Sequence, residues 1–381
     1  MEQVDFNAPT GWSWKKFKDV CVLKRGYDLP THARSAGDFP LYSANGVTDF
    51  IDQYKVDGPG VVTGRSGTIG KVHFVEGDYW PLNTALYVQK FNGNHPRFIK
   101  YFLENFDLTR FASGAAVPTL NRNSLSAELV CVPDSVDEQK RIVEKLDALL
   151  TRIDTAIEHL QESFTLADAL SKNGLSEIFE SLKDRYEVVP LSSVVKINSG
   201  IALPKLFKNG FSDGDIPFFK VAQMNNHHET MVEPEITFNE TVAKEHKIKL
   251  FPKGSTLIPK RGGAILTNKK RMLLENASYD SNIMGLKADE SKISDDYLFA
   301  FMRTIDLANF VDASTIPQVN NKHIDQMQIP LASIEEQTDV VSQVNLLVKK
   351  VEVTNYEIQS QLVDLQALKS SILDSAFKGE L

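Results

Sequence analysis

Two stretches of the chain carry the hydrophobic spacing of a long helix. Ile142, Leu146, Leu149, Ile153, Ile157, Leu160, Phe164 and Ala167 step by three or four residues, which keeps them on one side of an α-helix. Adding 198 to each number gives Val340, Val344, Leu347, Val351, Asn355, Ile358, Leu362 and Leu365, with Asn355 as the one polar break. A helix of some 45 residues is about 68 Å long, and an apolar stripe of that length needs cover. The pattern therefore predicts two long helices, 134–185 and 335–381, packed as an antiparallel pair, with Asn355 able to fix their alignment. Gly174 stands where a helix former is expected, and a kink or fray there would alter how the globules are spaced.

Outside the helices the pattern changes. Runs such as VVTG, KVHFV, ALYVQKF and GSTLIP, set among Gly, Pro and Asn, read as short strands joined by turns. HPRFIKYFLENFDL, residues 95–108, has helical spacing behind a well-placed proline. The fold class expected is α+β: mixed α/β globules at 1–133 and 186–334, each followed by one of the long helices.

The two halves are copies. GYDLP at 26–30 answers GIALP at 200–204, and Arg65-Ser66-Gly67-Thr68-Ile69 answers Arg261-Gly262-Gly263-Ala264-Ile265. Val117-Pro118-Thr119-Leu120-Asn121 answers Ile316-Pro317-Gln318-Val319-Asn320, and Glu138-Gln139 answers Glu336-Gln337. The changing offset places an insertion of about 22 residues in the second copy, and collinear order along the whole length makes an internal duplication the reading.

Composition adds the class. With 42% hydrophobic and 24% charged residues the chain is a soluble globular protein. A signal peptide and a membrane-length apolar run are both missing, so a cytoplasmic location is expected. Cys21 and Cys131 are expected as packed thiols. The net charge of −8 looks wrong for a nucleic-acid partner, but the helices supply all of it. Residues 246–274 hold eight Lys/Arg and no acid, a local positive surface suited to phosphate. Residues 58–75, with Arg65 and Lys71, are a weaker version.

TGRSGTIGKVHF, residues 63–74, invites a nucleotide reading that fails in detail. A Walker loop would need glycine where Arg65 stands and Ser/Thr where Val72 stands, and the G-x-G start of a dinucleotide loop is missing. No HExxH, Cys-x-x-Cys, G-x-S-x-G, aminomethyltransferase or nuclease motif occurs, and His227-His228 lacks a further ligand. No catalytic or metal-binding residue is singled out, and a binding subunit is expected rather than an enzyme.

The duplicated order resembles the specificity (S) subunit of type I restriction–modification systems. The resemblance rests on strand-RSGTIG-strand and strand-KRGGAI, on VPTLN and IPQVN, and on exits at Pro133 and Pro330 into DEQKRIVEKLDALLTRID and EEQTDVVSQVNLLVKKVE, with ILDSAFKGEL at the C-terminal end. It implies a non-catalytic subunit whose globules are target-recognition domains, each reading one half of a split, asymmetric site in double-stranded DNA. It also implies that the helices dock two methyltransferase (M) subunits, that restriction (R) subunits join them, and that S-adenosylmethionine, ATP and Mg²⁺ belong to those partners. A similar two-domain subunit serves fused methyltransferase–nuclease systems, and a coiled-coil scaffold with protein-binding globules is the reading from another class.

Residues able to form paired hydrogen bonds in the major groove are the candidates for base reading. Arg65 and Arg261, at turns that the motif alignment matches, come first. Asn45, Asn121, Arg122 and Asn123 follow in the first globule, with Asn320, Asn321, Lys322, Gln223 and Asn225 in the second, although asparagines also serve turns. Lys71, Lys260, Lys269, Lys270 and Arg271 are the candidates for backbone phosphate.

Overall fold

A computed structural model describes residues 8–114, 118–312 and 316–381; Val117 of the repeated VPTLN segment lies outside the described residues. The chain forms two compact units, one combining the chain up to Gln161 with Gln359–Leu381, the other Glu162–Ile358.

The first unit contains β1 (Trp12–Lys16), α1 (Phe17–Val20), β2 (Val22–Arg25), β3 (Ala36–Ser43), β4 (Gly46–Ile51), β5 (Gly60–Gly64), β6 (Val72–Val75), β7 (Trp80–Pro81) and β8 (Ala85–Lys90). Then come α2 (Pro96–Asn105), β9 (Ala112–Ser113), β10 (Thr119–Leu120), α3 (Arg122–Ser126), β11 (Leu129–Pro133) and the start of α4 (Val136–Lys183). The main sheet has the order β2-β8-β5-β6 and a smaller one β4-β3-β7. Helix α2 begins at Pro96, whose missing N–H costs nothing in a first turn. Its Phe98, Ile99, Phe102 and Leu103 share one core with Val61, Leu86 and Val88 of the sheet and with Ile142, Leu146, Leu150 and Ile153 of α4.

The second unit repeats this plan with β12 (Val188–Pro190), β13 (Val195–Ser199), β14 (Phe211–Ser212), β15 (Ile216–Phe219), β16 (Ile236–Phe238), α5 (Glu240–Glu245), β17 (Thr256–Pro259) and β18 (Arg271–Met272). It continues through β19 (Ser278–Tyr279), β20 (Ile283–Ala288), α6 (Asp295–Thr304), α7 (Asn321–Gln326), β21 (Gln328–Pro330) and the first part of α8 (Ile334–Phe377). Its main sheet, β13-β20-β17-β18, has the strand order of the first. Strand β16 pairs with β15 as β4 pairs with β3, so the inserted residues fall in the connections on either side of β16, the second of which forms α5.

Each unit takes the beginning of one long helix and the end of the other. In the first, Phe377 of α8 lies 5.4 Å from Phe98, ring to ring; in the second, Phe179 of α4 lies 5.4 Å from Tyr297 and from Phe301. Within the first unit Lys369 of α8 pairs with Asp154 of α4 at 2.7 Å, and within the second Leu347 of α8 lies against Gly174 of α4. Late positions on one helix thus meet early positions on the other, as in an antiparallel pair.

Two expectations about the helices change. Leu149 is 36% exposed and Leu150 is 3% exposed, so the stripe near the start of α4 runs through 142, 146, 150 and 153, following the side that α2 and the sheet cover. Helix α4 continues through Gly174 without a break. The missing side chain makes room for the neighbouring helix: a Cβ there would stand 2.9 Å from Leu347 Cδ2. Cys21 is buried and Cys131 half-buried, both free thiols.

Candidate nucleic-acid interface

The RSG and VPTLN motifs, far apart in sequence, meet through main-chain hydrogen bonds. After β5 the Arg65 N–H donates to the Thr84 carbonyl at 2.9 Å, the Leu120 N–H donates to the Arg65 carbonyl at 2.9 Å, and the Gly67 N–H donates to the Pro118 carbonyl at 3.1 Å. After β17 the Lys260 N–H donates to Asn282 at 2.7 Å, Val319 donates to the Lys260 carbonyl at 3.0 Å, and Gly262 donates to Pro317 at 2.9 Å. Gly67 and Gly262 both have positive φ, +83° and +76°, which glycine adopts without strain.

This register corrects the motif alignment by one residue. The structural twin of Arg65 is Lys260, and the twin of Arg261 is Ser66. The turn that follows, up to Lys71 in one unit and Lys269 in the other, is longer in the second copy, so matching letters slid past the position that the strands and the proline segment fix.

Within these clasps the side chains differ. Arg65 is half-buried, and its Nε has no hydrogen-bond partner among the described residues. Lys260 donates from Nζ to Ser199 Oγ at 2.9 Å, and exposed Arg261 reaches Gln318 Oε1 at 3.4 Å. Lys71 is exposed and Lys269 half-buried. Asn45 is exposed at the tip of the β3–β4 hairpin, where its N–H donates to Ser43 Oγ at 3.2 Å.

Asn121 and Asn320 are helix caps. Asn121 Oδ1 accepts the Asn123 N–H at 3.1 Å and Asn320 Oδ1 accepts the Lys322 N–H at 3.0 Å, the usual service of asparagine at a helix start. The caps aim the next two residues outward: Arg122 and Asn123 in one unit, Asn321 and Lys322 in the other, all exposed. In the second unit Lys260, Asp312, Asn320, Asn321 and Lys322 line a cleft of about 480 Å³.

Three candidates are spent on structure instead. Lys270 and Arg271 are only 7% and 5% exposed. Lys270 Nζ donates to Asn268 Oδ1 and to the Ile305 carbonyl, and burial pushes its ammonium down to about 8. Arg271 grips Asn226 through Nε and Nη2, at 3.1 and 2.8 Å, and donates from Nη1 to the Lys270 carbonyl at 2.7 Å. Neither is placed to meet a phosphate: Arg271, in the edge strand β18, is turned under the inserted segment at Asn226, and Lys270 is buried against Asn268 and the Ile305 carbonyl. Gln223 accepts from the Lys220 N–H and donates to the Glu233 carbonyl, both at 2.9 Å, so its amide is occupied as a turn brace; neighbouring Asn225 is exposed. The first-unit position paired like Arg271 is His73, held below its ordinary pKa by burial and then by the charge of Lys71.

Sequence reasoning passed over Asp312, which lines this cleft, and buried His323, whose Nε2 lies 3.2 Å from Asp312 Oδ1. A lone acid next to a basic run carries no spacing signal, although its counterpart in the first copy, Ser113, marks a difference between the halves. On the long helices of the second unit, Leu346, Val353 and Tyr356 of α8 and Leu166 and Leu170 of α4 stand 50% or more exposed. Among the described residues no group of His, Cys, Asp and Glu could hold a metal, and no helix is long and apolar enough to cross a membrane.

Comparison with known proteins agrees with this architecture. The type I restriction modification DNA specificity domain matches twice, over residues 9–163 and 183–363. A Haemophilus influenzae chain named as a type I restriction enzyme specificity subunit is 23% identical over 345 residues, 86% of each chain. The specificity subunit of the type I restriction enzyme EcoDI of Escherichia coli is 20% identical across 98% of this chain and 89% of its own length. A solved chain from work on complex assembly and conformational transition of the type I R-M system superposes with a TM-score of 0.77 at 17% identity, covering 99% of this chain and all of the other, which shows the shared fold. With two tandem copies of the domain, the same strand order in each and a long helix after each, the chain belongs to the family of type I restriction–modification specificity subunits.

Proposed function

We propose that this chain chooses the DNA sequence for a type I restriction–modification complex and performs no chemistry itself. Each globule reads one half of a bipartite, asymmetric target in double-stranded DNA, and the long helices dock two methyltransferase subunits, to which restriction subunits add. S-adenosylmethionine, ATP and Mg²⁺ are used by those partners.

The observation that carries this reading is the duplicated clasp. Both units hold a basic residue by the same main-chain bonds beside an asparagine-capped helix, yet present different side chains around it: Arg65, Arg122 and Asn123 in one, Lys260, Asn321 and Lys322 in the other. One scaffold with two sets of hydrogen-bonding groups suits two different half-sites. The helices hold the net negative charge and several exposed apolar side chains, which suits protein docking away from phosphate.

The test is co-expression with the methyltransferase encoded beside this chain, followed by mapping of methylated adenines across the genome. A motif split into two unlike parts by a fixed gap is expected. Methylation at a continuous motif, or without sequence preference, would overturn the proposal.

A further inference from the structure

Resting on that reading, we propose that Asp312 is a specificity-determining residue of the second globule, accepting a hydrogen bond from the exocyclic amino group of a cytosine. The cleft formed by Lys260, Asn320, Asn321 and Lys322 has the charge to hold DNA, and Asp312 is the one acid among the described residues that line it. An acid repels phosphate, so its use in a surface that approaches DNA is to meet a donor on a base edge. In the major groove a carboxylate suits the cytosine N4 amino group, while the oxygens of guanine and thymine are rejected.

The carboxylate is held for such a task. Asn320 Nδ2 donates to Asp312 Oδ2 at 3.1 Å. His323 Nδ1 accepts the Asn320 N–H at 3.1 Å, which places the neutral ring's proton on Nε2, where it points at Asp312 Oδ1 3.2 Å away. An ionised carboxylate offers about four acceptor positions, and these two donors leave the rest facing outward from a side chain that is 54% exposed. His323 is itself 8% exposed, so the brace is anchored in the unit. The same Asn320 that caps the helix presenting Asn321 and Lys322 thus also holds the acid.

The first unit lacks this device. Asp312 donates its N–H to the Gln318 carbonyl at 3.4 Å, and the residue paired with Thr119, the counterpart of Gln318, is Ser113. The two half-sites are therefore expected to differ at the position facing this point, with the cytosine requirement confined to the half read by the second globule.

The experiment uses the full chain in complex with its methyltransferase subunits and duplexes randomised through both half-sites, with bound or methylated sequences counted. The unmodified complex should demand cytosine at one position of one half. Asp312→Asn, which keeps the shape and gains donors, should move that preference toward adenine. Asp312→Ser, which installs the residue of the other unit, should relax it by roughly 5- to 150-fold with the other half-site unchanged. Melting curves matching the unmodified chain confirm that both variants fold. An unchanged half-site, a change in the other half, or a uniform rise in affinity for every sequence overturns the assignment while leaving bipartite reading intact. Failure of the unmodified complex to select any sequence overturns both.

Discussion

Gln139 accepts the His95 N–H at 2.8 Å and so joins the first turn of one long helix to the first turn of α2. Its amide nitrogen donates to Asn94 Oδ1 at 2.7 Å and to the Pro133 carbonyl at 3.4 Å. One repeat later, Gln337 accepts from the Ser294 N–H at 2.8 Å and donates to the Lys292 and Ala332 carbonyls at 3.0 and 2.9 Å. Both side chains are 1% exposed. Replacing either by Leu strands a helix-start N–H and a carbonyl without partners, at a cost of about 1–3 kcal/mol each. Urea denaturation of Gln139→Leu and Gln337→Leu should show a loss of several kcal/mol in each; a loss under about 0.5 kcal/mol would mean that water replaces the amide.

The corrected register makes Arg65 and Lys260 the matched pair. Arg65→Ala and Lys260→Ala are each expected to relax selection in one half-site, a different half in each case, by about 1–3 kcal/mol. Lys71→Ala and Lys269→Ala should weaken binding to all sequences alike and lower the salt dependence by about one phosphate contact. Binding titrations on duplexes with one half-site scrambled separate the two kinds of effect.

Lys270 offers a pH signature. Burial lowers its ammonium from 10.5 to about 8. Between those values the unfolded chain holds a proton on this amine that the folded chain lacks, so folding stability rises with pH through that window. Below it, both states are protonated and the group adds no slope. Denaturant midpoints from pH 7 to 10.5 should carry this rise in the unmodified chain and lose it in Lys270→Met, whereas the salt dependence of DNA binding should be the same in both.

Asn355 lies on the helix seam with its Oδ1 buried and unpartnered. Asn355→Leu is expected to stabilise the chain by about 1–3 kcal/mol by removing that unmet acceptor. A buried asparagine can also enforce one alignment of paired helices, so the same variant should give broader nuclear magnetic resonance lines from the residues of α8 near it. A lower melting temperature would show instead that Asn355 stabilises through its amide nitrogen.

Much of the architecture was legible because duplication doubles the signal. Ile142, Leu146, Val340 and Val344 announce a seam by spacing alone, and all are buried. Glu138-Gln139 and Glu336-Gln337 stand out as a repeated pair, although nothing in their letters tells that the glutamines close a junction. Charge was less readable. Lys270 and Arg271 look like the densest part of a phosphate surface, yet which face of a short edge strand is covered depends on an insertion with no copy in the first half. The asparagines remained ambiguous for a related reason: Asn121 and Asn320 cap short helices whose sequences are too brief to show a period. Arg261 misled by identity, since hydrogen bonds to the proline segment set the register and letters do not.

Leu373 and Ala376 belong to the core that also contains Trp12 and Phe17, and Phe377 packs against it. During synthesis the ribosome exposes nearly all of that unit before these side chains exist outside the exit tunnel, so its core stays open on one side while the second unit is being made. The first unit thus depends on a segment made after the second, and a lesion in the final turns of α8 would be felt first in the core around Trp12 and Phe17.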